Sequence, residues 1–190
     1  MNITILGATG MAGTAIAQEA TRRGHHVTSV SRNPPETNDP HTTVARLDLT
    51  DLEAPLQPVL NDADAVVLAV RMAPGDESSV APLTSHVLDH AAVAGVRVLV
   101  VGGAAPLRSP HDRELRVLDD PTFVPPQWRD VASASLDQFN ACTEHPNQNW
   151  TYLSPSAVFE PGQGTGAYRR GGDTLLINHD GTSRVCYTHL

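Results

Sequence analysis

Gly7, Gly10 and Gly13 stand three residues apart in G-A-T-G-M-A-G, between the apolar run Asn2–Leu6 and a potential helix, Met11–Arg23. Glycines so placed can let backbone N–H groups close on an anion. Gly7 would permit a tight turn off the strand, and Gly10 would let a diphosphate approach without a Cβ in the way. Gly13 would let the helix pack closely on the strand. The first turn of that helix offers free N–H groups and the positive end of its dipole. Thr9 and Met11 lie in the same turn and are grouped with it. The expectation is a dinucleotide site. The spacing is G-x-x-G-x-x-G rather than G-x-G-x-x-G, so the strand-and-helix context carries the reading. The alternative is a glycine-rich turn without a ligand.

Cofactor choice turns on the end of the second strand. A nicotinamide–adenine dinucleotide lacking the 2′-phosphate is held there by an acid about 20 residues beyond the glycines. Here the place is taken by Ser31-Arg32, and the first acid beyond is Glu36. An arginine can pair with a 2′-phosphate through its fork of donors and stack on adenine, so NADP(H) is expected over NAD(H). An ordinary surface arginine is the competing reading. Asp48 and Leu49, after the third strand, fall where related proteins contact adenine, although Asp48 suits a solvated loop equally. Ala69-Val70 and Gly102-Gly103, at the ends of two later strands, complete the expected cofactor contacts.

All 13 basic residues are arginine, so the chain has no lysine. Carbonyl reduction by a tyrosine acid whose pKa a lysine lowers, in a Y-x-x-x-K pair, is excluded in its usual form. Neither Tyr152, Tyr168 nor Tyr187 has a basic residue four positions later, and the fifth strand ends V-V-G-G-A-A without a serine. No catalytic residue is assigned. Reactions needing chiefly hydride proximity stay open, flavin reduction among them, because stacking two flat rings supplies most of the requirement. His86 and His90, at i and i+4 in H-V-L-D-H, echo an inverted zinc-protease motif, but a polar helix face is the better reading and no metal is expected. Arg113–Arg116 reads as a solvated charge run, and Ser154-Pro-Ser156 as a loop cap rather than a nucleophile.

The elements that must position these residues alternate. Strands are expected at His26–Val30, Thr43–Leu47, Ala65–Val70, Val96–Val101 and Trp150–Ser154, and helices at about Ser79–Ala94 and Arg129–Glu144. Thr50-Asp-Leu-Glu53 reads as a capping box opening a short helix limited by Pro55 and Pro58. A mobile loop is expected at Arg71–Ser78, and a long proline-rich connection at Gly102–Gln127. Together they predict an α/β, Rossmann-type doubly wound parallel sheet forming one domain over residues 1–190. A small C-terminal β-hairpin is expected from Thr174–Ile177 and Ser183–Tyr187 around Asp180-Gly181. The net charge of −8 without a basic run argues against nucleic acid. Two cysteines without C-x-x-C, no room for a signal peptide and no membrane-length apolar run predict a cytoplasmic protein without a membrane partner. The oligomeric state is left open, a homodimer included.

G-A-T-G-x-x-G at the N-terminus resembles the atypical and extended short-chain dehydrogenase/reductases. The stretch Trp150–Tyr187 is similar, more specifically, to small NAD(P)H-binding proteins of the NADH-flavin reductase-like family within that superfamily. The shared positions are Ser154-Pro155, Phe159, Pro161-Gly162, Thr165-Gly166, Tyr168-Arg169, Gly171-Gly172-Asp173, Gly181, Ser183 and Tyr187, with Val100–Ala104 also matching. The resemblance covers essentially the whole chain. It implies a Rossmann fold, a bound nicotinamide nucleotide, and reduction of a flavin (FMN, FAD or riboflavin) or a quinone. The family's name says NADH, whereas Arg32 argues for NADPH. The family's closing helix has no counterpart before Leu190. The segment from 154 to 190 is expected on the substrate side, with Ser154, Pro155, Phe159, Tyr168 and Arg169 as acceptor contacts and Tyr168-Arg169 covering a flat or anionic ring. A loop that only packs over the sheet is an equal alternative. A non-catalytic sensor of NADP(H), or an epimerase or dehydratase, would be the other functional classes.

Overall fold

The computed structural model describes residues 1–162 and 167–186. Six parallel strands form one sheet in the order β3-β2-β1-β4-β5-β6. They are β1 (Asn2–Leu6), β2 (His26–Ser31), β3 (Thr42–Arg46), β4 (Ala65–Leu68), β5 (Arg97–Val101) and β6 (Trp150–Leu153). The order reverses between β1 and β4, and an open α/β sheet binds its ligands at the carboxyl edge of such a reversal. Leu6 of β1 pairs with Val30 of β2 and with Leu68 of β4, so three strands end flush there.

Alternation along the strands builds two cores. Ile5, Val27, Val67 and Val101 face α1 (Met11–Arg22) and pack with Ala20. Leu6, Val30, Leu68 and Val100 face the other way. There they meet α2 (Gln57–Leu60) and α3 (Val80–Ala94), together with Cys142 of α4 (Arg129–Glu144). Neighbouring residues point to opposite faces of a strand, so a sheet covered on both sides needs continuous apolar runs such as Ala65–Leu68. α1 follows β1 directly, which puts its N-terminus at the reversal.

Most expected boundaries fall within two residues of the observed ones. The capping box does not form: Asp48 instead accepts the Thr50 N–H at 3.0 Å and the Thr50 hydroxyl at 2.7 Å, closing a turn. The helix begins only at Gln57, with Pro58 in its first turn, where a missing N–H costs nothing. The small C-terminal sheet is present, but its strands differ from the expected hairpin. β8 (Arg184–Cys186) runs parallel to β7 (Val158–Glu160). The Asn178–Gly181 turn is made, with the Gly181 N–H on the Asn178 carbonyl at 3.0 Å. Residues 173–175 join the long connection instead: the Arg108 N–H donates to the Asp173 carbonyl and the Leu175 N–H to the Arg108 carbonyl. Leu175 is thereby buried. Tyr187, Thr165 and Gly166 lie outside the described residues.

His86 and His90 are half-buried against α2, with ring centroids 4.5 Å apart and His90 Nδ1 2.8 Å from Gln57 Oε1, rather than on an open polar face. No group of three metal-ligating side chains occurs among the described residues, and no described helix is long and apolar enough to cross a membrane.

Burial raises the Cys142 thiol from its ordinary 9.0 to about 12, and raises the Tyr152 phenol as well. A group whose folded pKa is raised contributes stability that is whole below its unfolded pKa and is lost as pH rises through the folded value. The melting temperature is therefore expected to fall progressively from about pH 9 toward pH 12. In Cys142→Ala that slope should be shallower, as followed by circular dichroism melts across the range; an unchanged slope would contradict burial of the thiol as its source.

Candidate functional site

The β1–α1 turn is built as the glycine spacing predicts. Gly7 has φ +90°, and a Cβ there would lie 2.5 Å from the Ala69 carbonyl oxygen, so β4 approaches too closely for any side chain. A Cβ on Gly13 would collide with the Gly7 carbonyl. Gly7 and Ala8 both donate to the Val30 carbonyl, at 3.0 and 3.1 Å, which pins the turn to β2. Thr14 closes it through its hydroxyl on the Ala8 carbonyl at 3.1 Å. Among the described residues no hydrogen bond is made by the N–H of Thr9, Met11, Ala12 or Gly13. Thr9, Gly10 and Met11 are exposed. These free N–H groups at a helix N-terminus are the donor side of an anion site, and the missing side chain at Gly10 leaves room for a diphosphate. The cradle therefore fits the nucleotide that the sequence implies.

On one side of the cradle stands the end of β2. The Ser31 hydroxyl is buried without a hydrogen-bond partner. Arg32 is exposed and makes neither a hydrogen bond nor a salt bridge among the described residues. Asp48 faces this corner; its carboxyl is held below the usual range, chiefly by the Thr50 hydroxyl and N–H, and slightly by the Arg32 charge. Leu49 is buried in the larger core, so only its backbone is left for a ligand.

On the other side lie the ends of β4, β5 and β6. Ala69 donates to the Leu6 carbonyl at 2.9 Å, and Val70 packs on the larger core. Gly102 and Gly103 make room for two side chains. A Cβ on Gly102 would strike the Tyr152 ring, and one on Gly103 would lie 2.7 Å from Ser135 Oγ. The Tyr152 hydroxyl donates to the Ser135 carbonyl at 2.8 Å and accepts from the Gly103 N–H at 3.3 Å. Phe139 meets the same ring edge-on. This anchor ties β6 to α4, and the sequence shows it only as an unexplained glycine pair. A second anchor holds the long connection: Ser109 Oγ donates to the buried Asp120 at 2.6 Å. Burial would raise that carboxyl, but hydrogen bonds from Ser109 and Thr122 bring it below the usual range.

The expected acceptor residues are less concentrated. Ser154 and Pro155 follow β6 and are half-buried, and Phe159 is part of β7. Tyr168 is 72% exposed. Arg169 donates to the Ile177 carbonyl at 2.7 Å and so ties its loop to the Asn178 turn.

The chain matches the model of a family described as NAD(P)H-binding over residues 7–185. It is 34% identical over 195 residues to the uncharacterized protein YwnB of Bacillus subtilis strain 168, covering 98% of this chain and 87% of that one. It superposes on a "putative NADH-flavin reductase" of Streptococcus pneumoniae with a TM-score of 0.88 at 29% identity, covering 100% of this chain and 88% of that one. A "putative epimerase" of Bacteroides thetaiotaomicron matches with a TM-score of 0.86 at 30% identity, covering 98% and 85%. The two structures share the fold of this chain, while the activities in their names differ.

Proposed function

The chain belongs to the NAD(P)H-binding family, and from that premise we propose an oxidoreductase that takes NADPH in preference to NADH and reduces a flavin or a similar flat acceptor. The observation that carries the cofactor choice is the end of β2, where an unpaired arginine and an unsatisfied buried serine hydroxyl stand in place of an acid. Arg32 would hold the 2′-phosphate, the free N–H groups of Thr9 to Gly13 the diphosphate, and Ala69-Val70 the nicotinamide side. When bound, the dihydronicotinamide supplies two electrons and one proton to the acceptor as hydride, and water supplies the second proton.

The residues around the acceptor side do little proton chemistry. Tyr152 is the buried phenol there, and burial raises its pKa, away from what a general acid near neutrality needs. Its hydroxyl is spent on Ser135 and Gly103. Tyr168 is open to water. A carbonyl acceptor would need a proton donor at its oxygen, whereas a flat ring reduced by hydride can take its proton from solvent. The work left to the protein is to hold two rings together and exclude water between them.

Tyr152→Phe is accordingly expected to keep NADPH oxidation within about tenfold of the parent, well short of the 10²–10⁴ typical of a lost general acid. It should also lower stability by about 1 kcal/mol through the lost hydroxyl hydrogen bonds. Steady-state oxidation with FMN, riboflavin and quinones, beside a urea melt, measures both. Abolished turnover in a variant that still binds NADPH would point to a carbonyl acceptor instead.

A further inference from the structure

The carboxyl edge of the sheet carries one pair of side chains that nucleotide binding does not use. Arg71 comes directly after Val70, whose side chain already abuts the glycine turn, and three residues after β4 ends. Trp128 closes the 3₁₀ turn Pro126–Trp128 and immediately precedes α4. The two are far apart in sequence, yet the Arg71 guanidinium carbon lies 5.8 Å from the centre of the Trp128 ring. Trp128 is 53% exposed. Among the described residues Arg71 makes no hydrogen bond or salt bridge, although the chain carries 21 acidic residues. Arg129, the residue after Trp128, is by contrast spent on Asp119 at 2.9 Å and on the Leu118 carbonyl.

The position of this pair along the edge gives it meaning. Arg32 marks the β2 side, where the adenosine end of a dinucleotide would rest, and the glycine turn marks the centre. Arg71 and Trp128 stand on the opposite side, before β4 and β5, where the reacting ring would end. An exposed indole with an unpaired guanidinium beside it offers a face for a flat ring and a charge for an anion. A guanidinium with no acidic partner among the described residues favours an acceptor that brings a negative group.

We propose that Arg71 and Trp128 form the outer wall of the acceptor subsite, and that this wall selects a flat acceptor carrying a negative charge, a flavin mononucleotide over neutral riboflavin. This rests on the flat-acceptor reading above and adds the class of acceptor and the residues that choose it. Trp128 supplies the stacking face; Arg71 moves from the indole to the phosphate or stays over both.

Fluorescence reads the proposal directly, because Trp128 is exposed while Trp150, the second tryptophan, is partly buried against the core. FMN and riboflavin are titrated separately into the parent, Arg71→Ala, Trp128→Phe and Trp128→Ala, each with saturating NADP⁺. NADPH titrations of the same proteins run in parallel. FMN is expected to quench the parent and to bind about fivefold or more tighter than riboflavin, a margin that shrinks as salt rises. Arg71→Ala should erase the margin. Trp128→Phe should keep binding but lose most of the quench, and Trp128→Ala should weaken both flavins. Equal binding of the two flavins to the parent, or an undiminished margin in Arg71→Ala, overturns the proposal. So does a loss of NADPH affinity in Arg71→Ala without loss of FMN affinity, which would assign the arginine to the nucleotide. Failure of both flavins to bind while NADPH binds overturns the proposal together with the flavin reading on which it rests.

Discussion

Arg32→Ala is expected to weaken NADPH by about 10- to 150-fold while NADH changes little, a loss of roughly 1.5–3 kcal/mol for one charge-assisted contact. The selectivity follows from position. Arg32 stands at the end of β2, exposed and unpaired, so removing it breaks no internal contact and leaves the fold intact. Its charge acts on Asp48, whose carboxylate already accepts two hydrogen bonds from Thr50. With the arginine gone, a 2′-phosphate would face that acid alone, which adds repulsion to the lost attraction. Equilibrium titrations of both nucleotides decide the matter. Equal losses for NADPH and NADH would place Arg32 on adenine or ribose and remove the case for NADP(H).

Gly7→Ala is expected to damage the fold as well as the site. A residue with a side chain held at φ +90° costs about 1–3 kcal/mol in backbone strain alone. The added Cβ would also press on the Ala69 carbonyl at 2.5 Å, and that carbonyl belongs to the neighbouring strand's end and has little freedom to yield. The junction of β1, β4 and α1 would have to open, and both nucleotides should bind more weakly in proportion. Gly10→Val is the informative partner. Gly10 has φ −76°, an ordinary backbone conformation, and a Cβ there sits 3.2 Å from the Gly7 carbonyl, tight but tolerable. Its cost should fall mainly on the ligand, at about 10- to 100-fold for overpacking of 1–3 kcal/mol. A urea melt beside each titration separates the two effects. If Gly10→Val bound both nucleotides normally, the loop would be only a turn.

The parts of this molecule that were legible in its sequence are those governed by local rules. The strand-turn-helix at Gly7–Gly13 was legible because three glycines leave one geometry that closes a strand onto its own helix. The continuous apolar strands gave the doubly wound sheet, because burial on both faces removes alternation. The capping box at Thr50 misled because Asp48, two residues earlier, captured the same hydroxyl and N–H first. The C-terminal strands found other partners because pairing between distant segments depends on which edges are free, and the long connection offered one at Arg108. The anchor of Tyr152 on Ser135 and Gly103 joins residues 17 and 49 positions apart, so no local signal announced it. Arg71 and Trp128 were equally silent: they meet only because β4 ends and α4 begins at the same edge.

The most direct test is anaerobic oxidation of NADPH by the purified protein with FMN as acceptor, following the dihydronicotinamide and the oxidised flavin together. Hydride transfer between stacked rings predicts that the two disappear in a one-to-one ratio, saturably in FMN, faster with NADPH than with NADH, and more slowly when the nicotinamide C4 position carries deuterium. Tight, 2′-phosphate-dependent binding of NADPH with no oxidation in the presence of FMN, riboflavin or a quinone would contradict it, and would leave a protein that senses the nucleotide without consuming it.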